Sequence, residues 1–440
     1  MAAADRGLRA RLEAAGQSWL AQHLESLPEA DGQRLRGQLQ QIDFRLVASI
    51  RAGEGLAEPA RGAIEPMGFV PAADRHADTS AATRGREALA RGEVACVILA
   101  GGQASRLQFD GPKGNFPIGP RTDRSLFRIL VEQVLRAGRD HGAIPPLAIT
   151  TSSTTDAAIR AFFEEQDCFA YPRDTLRFAC QAQLPALDEQ GRFLLAEIDR
   201  VFTNPDGHGG ALKALETHGV LEDWESQGIR AVACCQVDNP LLRVVDADFI
   251  GRLFDSGFPL VTKIVAKTRP EEKVGVVARV DGRPAIVEYS DISDEDAARR
   301  DEDGGLTYRL GSIAVHVFRL DFLRRALREA LPLHVARKQI PCVSLTGEPQ
   351  RVPGTKYERF LFDLFPAAQD LVVCEVERAR EFEPLKNAEG DHSPPVVRDA
   401  LDAQYRRWHE EAGVAPPEES PLELSPLDVL GPQDLVDSDG

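Results

Sequence analysis

Two basic side chains follow a glycine pair at the end of an apolar segment, and together they suit a polyphosphate ligand. The segment is Val94–Ala100, the glycines are Gly101 and Gly102, and the cations are Arg106 and Lys113. The glycines leave backbone amides free to approach phosphate oxygens. An arginine fork and a lysine ammonium near that turn match phosphate better than other common ligands. The pattern is neither a P-loop nor the dinucleotide fingerprint, whose third glycine is missing.

A carboxylate follows another predicted strand. Asp238 comes directly after the apolar run Ala231–Cys235, at the carboxyl end of a strand, where ligands of open α/β sheets bind. Mg²⁺ prefers one or two carboxylates and takes its remaining ligands from phosphate and water. Asp238 is therefore a candidate ligand for Mg²⁺ (or Mn²⁺). The alternative is that Asp238 and Asn239 only form a turn.

A glycine-rich loop, Asn204–Gly210, precedes a predicted helix. Its three glycines let the backbone approach a flat ring closely, and Gly209 and Gly210 open a helix whose N-terminus favours an anion. An ordinary structural loop is the alternative. His208, inside the loop, is either a ligand contact or a turn residue.

The elements that would position these residues are apolar strands alternating with helical segments, from about residue 90 to 345. This alternation predicts an α/β fold in which helices cover both faces of a sheet. The predicted strands are Val94–Ala100, Pro146–Thr150, Arg230–Gln236, Leu260–Ala266, Gly275–Val280 and Ser312–Phe318, and the predicted helices are Asp156–Glu165 and Gly210–His218.

Four consecutive regions are predicted along the chain. Residues 1–88 are helical, because leucines recur at helical spacing, and residues 89–345 form the sheet domain. Residues 346–410 form a small C-terminal α/β region with a strand at Leu371–Val376 and a helix at Pro394–His409. Residues 411–440 contain eight acidic and no basic side chains. That composition predicts a disordered acidic tail.

Bulk properties limit the classes of partner and the location. The chain has 440 residues and a net charge of −17, which argues against nucleic acid and anionic membrane as partners. No window of 18 apolar residues and no basic segment followed by an apolar one occur, which argues against membrane spanning and secretion. The seven cysteines are scattered without a CxxC pair. We expect a cytoplasmic protein, either a monomer or a homodimer.

Seven short motifs occur in an order that closely resembles one enzyme family. They are Leu99-Ala-Gly-Gly-Gln-Ala-Ser-Arg-Leu, Gly111-Pro-Lys-Gly, Pro205-Asp-Gly-His-Gly-Gly, Gln236-Val-Asp-Asn, Arg269-Pro-Glu-Glu-Lys-Val-Gly-Val, Glu288-Tyr-Ser-Asp and Pro384-Leu-Lys-Asn-Ala. Together they resemble the UDP-sugar pyrophosphorylases (UDPGP type 1), specifically the UDP-N-acetylglucosamine or UDP-N-acetylhexosamine pyrophosphorylase branch. The similarity runs from about residue 30 to 405.

The resemblance implies a fold and a reaction. The fold would be a Rossmann-like, GT-A-like nucleotidyltransferase domain over residues 89–345 with a mixed central sheet. The reaction would be UTP-dependent uridylyl transfer to a sugar 1-phosphate, with N-acetylglucosamine 1-phosphate favoured. A phosphate oxygen of the sugar phosphate would attack the α-phosphorus of UTP in line, and pyrophosphate would leave.

The resemblance also implies roles for individual residues. Arg106 and Lys113 would bind the β- and γ-phosphates, Lys386 the sugar phosphate and α-phosphate, and Asp238 the metal ion. The residues expected to bind the nucleoside are Leu99, Ala100, Gly101, Gly102, Gln181 and Gly209. The residues expected on the sugar side are Gly275, Glu288, Ser312, Phe360 and Phe362.

Departures from the branch pattern leave the sugar open. Ala104 and Gln108 replace glycines, and Ala104 requires a turn with negative φ. His208 and Ser312 stand where the branch usually has asparagines, and because a serine is shorter, the contact with an N-acetyl group would be lost or bridged by water. Glucose 1-phosphate or broad hexose phosphate specificity is therefore an alternative. A nucleotide-sugar glycosyltransferase and an inactive UDP-sugar-binding protein are the alternative classes.

Overall fold

The apolar runs of the sequence form strands and the leucine-rich segments form helices. We describe a computed structural model that covers residues 3–58, 62–77, 79–302 and 304–436. The helices are α1 Ala3–Ala14, α2 Ser18–Ser26, α3 Glu29–Gln41, α4 Phe44–Ala52, α5 Ala72–Ala77, α6 Thr79–Ala90, α7 Leu126–His141, α8 Asp156–Glu165, α9 Gly207–Thr217, α10 Val220–Ser226, α11 Ala247–Ser256, α12 Asp294–Ala298, α13 Leu320–Arg328, α14 Arg378–Glu381, α15 Pro394–Ala412 and α16 Gln433–Val436.

Each predicted strand is present with bounds shifted by at most two residues. The strands are β1 Ile64–Glu65, β2 Val94–Leu99, β3 Leu147–Thr151, β4 Leu176–Cys180, β5 Gln183–Pro185, β6 Leu187–Asp188, β7 Leu195–Glu197, β8 Arg200–Val201, β9 Thr203–Pro205, β10 Ala231–Gln236, β11 Leu260–Ala266, β12 Val276–Val280, β13 Arg283–Val287, β14 Leu310–Arg319, β15 His334–Val343, β16 Pro349–Glu358 and β17 Val372–Glu375. Short 3₁₀ helices cover Ser105–Leu107, Lys113–Asn115, Asp167–Ala170 and Leu361–Ala368.

The chain divides into two compact units, each assembled from separated segments. Unit 1 comprises Met1–Pro59, Gln181–Lys213 and Glu329–Asp363. Unit 2 comprises Ala60–Cys180, Ala214–Arg328 and Leu364–Gly440. This division differs from the four consecutive regions predicted from the sequence, because both units take in segments that are far apart along the chain.

Unit 2 contains a ten-stranded mixed sheet, which confirms the predicted fold class. Its main path runs β1-β12-β14-β10-β2-β3-β4, while β11 pairs with β14 and β17, and β13 pairs with β12. The pairs β10/β2, β2/β3 and β3/β4 are parallel. Every residue of β2 and of β3 is buried, as expected for parallel strands covered on both faces.

Unit 1 is built around a five-stranded sheet and the N-terminal helices. The strand order is β6-β16-β15-β7-β8, and β5 pairs with β9 separately. Leucines of the first helices, including Leu12, Leu20 and Leu39, pack in one apolar cluster with Phe193 and Tyr357. The helical prediction for this part of the chain is confirmed by α1 to α4.

The long hairpin of β15 and β16 was not predicted. Its ten residues on each strand pair without interruption from His334 opposite Glu358 to Val343 opposite Pro349. Most side chains of both strands are exposed or half-buried. Because the segment is polar and contains several prolines, it lacks the apolar pattern by which the other strands were recognised.

The predicted disordered tail is wrong for residues 411–436. Leu422 is buried, and the side chain of Glu423 is only 3% exposed. Arg136 donates to the carbonyl oxygens of Leu427 and Asp428 and pairs with Asp434. Acidic side chains of the tail therefore pair with arginines of unit 2. Residues 437–440 lie outside the described part of the chain.

No helix among the described residues is both long enough and apolar enough to cross a membrane.

Candidate active site

The glycine turn after β2 lies beside the ends of two neighbouring parallel strands. The β2/β10 register pairs Leu99 with Gln236, so Gly101 and Asp238 lie equally far beyond the paired residues. Ser152, two residues beyond the β3 residue paired with Leu99, donates from its hydroxyl to the Gly101 carbonyl at 2.8 Å. The sheet thus brings the predicted phosphate turn and the predicted metal ligand to one edge, as the sequence indicated.

The loop from Gly102 to Lys113 closes on itself. The Lys113 N–H donates to the Gly102 carbonyl at 3.0 Å, and the Ala104 N–H donates to the Gly111 carbonyl at 3.0 Å. Ala104 has φ −91°, so the turn accommodates the alanine as predicted. Gln108 has φ 55°, in the left-handed region that a glycine adopts without strain. The residue that departs from the family's glycine at this position is therefore held in a strained conformation.

Lys113, Asp238 and Lys386 are brought together from three separate parts of the sequence. The Lys113 ammonium lies 3.3 Å from Asp238 Oδ2 and donates to the Leu385 carbonyl at 3.3 Å. The Leu385 N–H donates to the Asp238 carbonyl at 2.7 Å. Lys386 is thereby fixed one residue from this cluster. Lys113, Asp238 and the segment that bears Lys386 therefore lie together.

Arg106 lies on the same loop, in the 3₁₀ turn Ser105–Leu107, and is exposed. It makes no ion pair within the described ranges of the chain. Its guanidinium is available to an anionic ligand from solvent, in contrast to the many arginines that pair with carboxylates elsewhere in unit 2.

The donor set at Asp238 fits a magnesium ion that is shared with a nucleotide. In the part of the chain that the structure describes, no group of three histidine, cysteine, aspartate or glutamate side chains could hold a metal ion. One carboxylate alone is a weak metal site. Mg²⁺ commonly binds through one or two carboxylates while substrate phosphates and water complete its coordination. Asp238 therefore fits an ion that binds together with a polyphosphate.

Three residues predicted for the sugar side lie together in unit 2. The Ser312 N–H donates to the Gly275 carbonyl at 2.8 Å. A Cβ added to Gly275 would lie 2.7 Å from Ile286 and 3.7 Å from the Glu288 carboxylate, so the close approach of β13 requires glycine here. Gly275, Glu288 and Ser312 form one cluster, at the ends of β12, β13 and β14.

A bulge in β14 turns the Ser312 hydroxyl toward its own strand. The β11/β14 register shifts between Thr262 and Ile264, and Ala314 has φ 55°. The Ser312 hydroxyl accepts from the Ala314 N–H at 3.4 Å. A non-glycine residue at positive φ in a strand is strained, and such strain concentrates at functional positions.

The other four predicted residues belong to unit 1. Gln181 donates to the Gly207 carbonyl at 3.2 Å and to the Asp206 carboxylate at 3.4 Å. A Cβ on Gly209 would lie 2.8 Å from the Phe360 backbone, so this position requires glycine. Phe360 and Phe362 contact each other with ring centroids 4.8 Å apart. Gln181, Gly209 and the two phenylalanines are therefore neighbours around the start of α9.

His208 lies inside this aromatic cluster. Its ring stacks on Phe360 with centroids 5.2 Å apart, and His334 stacks on Phe360 with centroids 4.1 Å apart. The Leu361 N–H donates to His208 Nδ1 at 2.8 Å, which leaves the hydrogen of the neutral ring on Nε2. Burial, with a smaller contribution from His334, lowers the pKa of His208 to about 4. His208 is thus a neutral donor near pH 7.

Sequence reasoning missed the residues that support these groups. Asp206 is buried beside Arg359, whose guanidinium donates to it at 2.9 Å, and burial raises the pKa of Asp206 to about 6. Asn239 donates to the Glu381 carbonyl at 2.7 Å and accepts from the Glu383 N–H at 3.3 Å. The one available signal was that Asp206 and Asn239 each lie inside one of the seven family motifs. Their contacts join residues that are too far apart in sequence for a local pattern to show.

The unit 2 cluster can bind two polyanions and neutralise a leaving one. It offers an exposed arginine, two lysines and a single carboxylate at the end of parallel strands, and the polar cluster of Gly275, Glu288 and Ser312 lies in the same unit. It contains no nucleophile–histidine pair of the kind used in covalent acyl or phosphoryl transfer. Such an arrangement acts by positioning and charge stabilisation.

A family model and named relatives identify the family to which this chain is similar. Residues 69–420 match the family described as UTP–glucose-1-phosphate uridylyltransferase (UDPGP). The UDP-N-acetylglucosamine pyrophosphorylase of Saccharomyces cerevisiae is 35% identical over 91% of this chain and 90% of its own length. The human UDP-N-acetylhexosamine pyrophosphorylase-like protein 1 is 36% identical over 93% and 86%. The crystal structure of the Trypanosoma brucei uridine diphosphate N-acetylglucosamine pyrophosphorylase superposes with a TM-score of 0.85 at 28% identity, over 99% of this chain and 95% of that chain.

Proposed function

Because the chain belongs to the UDPGP family of uridylyltransferases, we propose that it converts UTP and N-acetylglucosamine 1-phosphate to UDP-N-acetylglucosamine and pyrophosphate. The family resemblance read from the sequence is confirmed by the matched residues and by relatives that align over most of both chains. The observation that carries the proposal for the site is the cluster in which the Lys113 ammonium lies 3.3 Å from the Asp238 carboxylate and contacts the segment that bears Lys386.

In the proposed reaction a phosphate oxygen of the sugar 1-phosphate forms a bond to the α-phosphorus of UTP. The bond from that phosphorus to the oxygen bridging the β-phosphate breaks, and its electron pair leaves with pyrophosphate. The nucleophile is already an anion near pH 7, since the second pKa of a phosphate monoester is about 6. No protein base is therefore needed. The difficulty is electrostatic, because two polyanions must meet.

The residues of unit 2 address that difficulty. Arg106 and Lys113 would bind the β- and γ-phosphates and stabilise the leaving pyrophosphate, and Lys386 would hold the attacking phosphate beside the α-phosphate. Asp238 would hold Mg²⁺, which, when bound, neutralises phosphate charge as a Lewis acid. Leu99, Ala100, Gly101 and Gly102 would bind the nucleoside through their backbone, as the family resemblance implies.

We propose that Gly275, Glu288 and Ser312, which are neighbours in unit 2, bind the sugar. The Glu288 carboxylate suits sugar hydroxyls because it accepts hydrogen bonds from them. Gln181 and Gly209 remain our proposal for nucleoside contacts, and Phe360 and Phe362 for the sugar. All these roles follow from the resemblance.

Two observations favour a second sugar. His208 and Ser312 stand where the N-acetylglucosamine branch usually has asparagines, and the Ser312 hydroxyl accepts from its own strand. A serine that reaches less far makes a weaker contact with an N-acetyl group. Glucose 1-phosphate is therefore the second candidate substrate.

A panel of sugar 1-phosphates tests the proposal. Pyrophosphate release is measured with UTP, Mg²⁺ and, in turn, the 1-phosphates of N-acetylglucosamine, N-acetylgalactosamine, glucose and galactose. We expect the highest kcat/KM with N-acetylglucosamine 1-phosphate. A preference for glucose 1-phosphate would support the second candidate. UDP release from a UDP-sugar without pyrophosphate chemistry would instead indicate a glycosyltransferase, and binding of UDP-sugars without turnover would indicate a sensor.

A further inference from the structure

Lys386 stands in a loop whose two ends are tied down. We call residues Glu381–His392 the Lys386 loop. At its start, the Asn239 side chain donates to the Glu381 carbonyl at 2.7 Å and accepts from the Glu383 N–H at 3.3 Å. Because Asn239 follows Asp238 directly, this end of the loop is fixed to the strand end that carries the candidate metal ligand.

The other end of the loop is tied to Lys386 itself through the backbone of His392. The His392 carbonyl accepts from the Lys386 N–H at 2.8 Å and from the Asn387 N–H at 3.2 Å. His392 has φ 61°, in the left-handed region that is disfavoured for a residue with a Cβ. Contacts of its side chain would stabilise this conformation.

The side chain of His392 makes such contacts. Its Nδ1 lies 2.5 Å from the Glu383 carboxylate, and its ring packs edge-on against Phe382 with centroids 6.5 Å apart. A hydrogen bond to a carboxylate is stronger than one between two neutral groups. Glu383 and His392 thus join the two limbs of the loop across its base, with Lys386 between them.

The Lys386 side chain has no support of its own. It is exposed and makes no hydrogen bond or ion pair with the described residues, and a lysine ammonium on four methylene groups has large rotamer freedom. The location of its ammonium therefore depends on the backbone that carries it. Reaction rates fall steeply when a catalytic group is displaced by about 1 Å.

We propose that Glu383 and His392 are positioning residues, whose side-chain hydrogen bond closes the Lys386 loop and holds Lys386 beside Asp238 for phosphate transfer. The inference rests on the proposed function, since it assigns a partner to a residue that acts in that reaction. Neither side chain is required to touch substrate. Their effect on turnover is transmitted entirely through Lys386.

Three single variants test the proposal, with kcat and KM for both substrates as the readout. Glu383→Ala removes the carboxylate, and Glu383→Gln keeps an acceptor without the charge. His392→Gly removes the imidazole, keeps the carbonyl that binds the Lys386 N–H and tolerates φ 61°. We expect kcat to fall about tenfold or more in Glu383→Ala and His392→Gly, with KM for UTP changed less than about threefold. Glu383→Gln is expected to recover part of the loss, because its amide oxygen still accepts a hydrogen bond but carries no charge.

The matched control is Glu389→Gln, which removes a carboxylate from the same loop three residues beyond Lys386. Glu389 is exposed and makes no hydrogen bond or ion pair with the described residues. We expect wild-type kcat. The thermal unfolding temperature of each variant is also measured. A loss of kcat is ascribed to positioning only when the variant unfolds at the same temperature as the wild type.

A double variant tests whether Glu383 acts on turnover through Lys386 or independently of it. In Lys386→Ala, which we expect to lose far more kcat than UTP affinity, adding Glu383→Ala should cause no further loss, because the effect acts through the missing lysine. A full additional tenfold loss would overturn the proposal, as would wild-type kcat in Glu383→Ala beside an impaired Lys386→Ala. Wild-type kcat in Lys386→Ala would instead contradict the role of Lys386 in the proposed function.

Discussion

Burial shifts the pKa values of Asp206 and His208, two residues apart in unit 1, in opposite directions. The pKa of Asp206 is raised to about 6, because desolvation outweighs the attraction of Arg359. The pKa of His208 is lowered to about 4 by burial. Between pH 3.8 and about 6, Asp206 binds more protons in the folded protein than in the unfolded chain. Between about pH 4 and 6.5, His208 binds fewer protons in the folded protein than in the unfolded chain. Acidification therefore stabilises the fold through Asp206 and destabilises it through His208.

Replacing His208 should reduce the loss of folding stability that acidification causes. The contribution of His208 to stability is complete above its unfolded pKa of 6.5 and is lost as the pH falls toward about 4. We expect His208→Asn to lose less stability than the wild type between about pH 7 and about pH 4.5, by about 2 kcal/mol. Urea denaturation at the two pH values measures the difference.

The control for this prediction is His218→Asn, the same change at an exposed histidine just beyond α9. An identical pH dependence in wild type and His208→Asn would contradict the shifted pKa of His208.

At the scale of elements, the acidic C-terminal segment is held by specific contacts. The Glu423 carboxylate accepts from the N–H groups of Arg121 and Thr122 at 2.6 and 2.7 Å and from the Thr122 hydroxyl. It also pairs with Arg124 at 3.1 Å, with its side chain 3% exposed. These contacts order a segment whose composition alone predicted disorder, because composition does not show that cations and free amides of unit 2 face it.

Glu423→Ala is therefore expected to destabilise the protein. Removing a buried carboxylate that accepts several hydrogen bonds leaves donors unpaired, and each charge-assisted bond contributes about 1.5 to 3 kcal/mol. We expect the free energy of unfolding to fall by about 2 to 4 kcal/mol, measured by urea denaturation. Glu418→Ala, five residues earlier and exposed, should leave it within about 0.5 kcal/mol. Equal stabilities for the two variants would mean that the segment does not contribute to the fold.

The element scale also shows which parts of the site the sequence could predict. Strands β2 and β10 have continuous apolar runs, so their carboxyl ends, and with them Gly101 and Asp238, were located from the sequence. Lys386 was recognised only through a motif. Its place beside Asp238 depends on the contact of Leu385 with Asp238, across more than 140 residues, and periodicity carries no information about such pairs.

At the scale of the whole molecule, the chain passes repeatedly between its two units. Segments 181–213 and 329–363 lie between segments of unit 2 in the sequence but belong to unit 1, together with the N-terminal helices. The sequence analysis predicted consecutive regions instead, from changes in composition along the chain. The local sequence does not show which distant segment a strand will pair with. The fold class was predictable because the buried parallel strands dominate the pattern. The oligomeric state and the cytoplasmic location stay predictions.

The most direct test of the central claim follows the two ends of UTP separately. The protein is incubated with N-acetylglucosamine 1-phosphate, Mg²⁺ and UTP that carries ³²P either in the α- or in the γ-phosphate. In-line attack on the α-phosphorus predicts that the α label appears in UDP-N-acetylglucosamine and the γ label in pyrophosphate, in equal amounts. Release of the γ label as inorganic phosphate would contradict the claim that this protein is a uridylyltransferase. UTP left unchanged here and with each of the other three sugar 1-phosphates of the panel would contradict it as well.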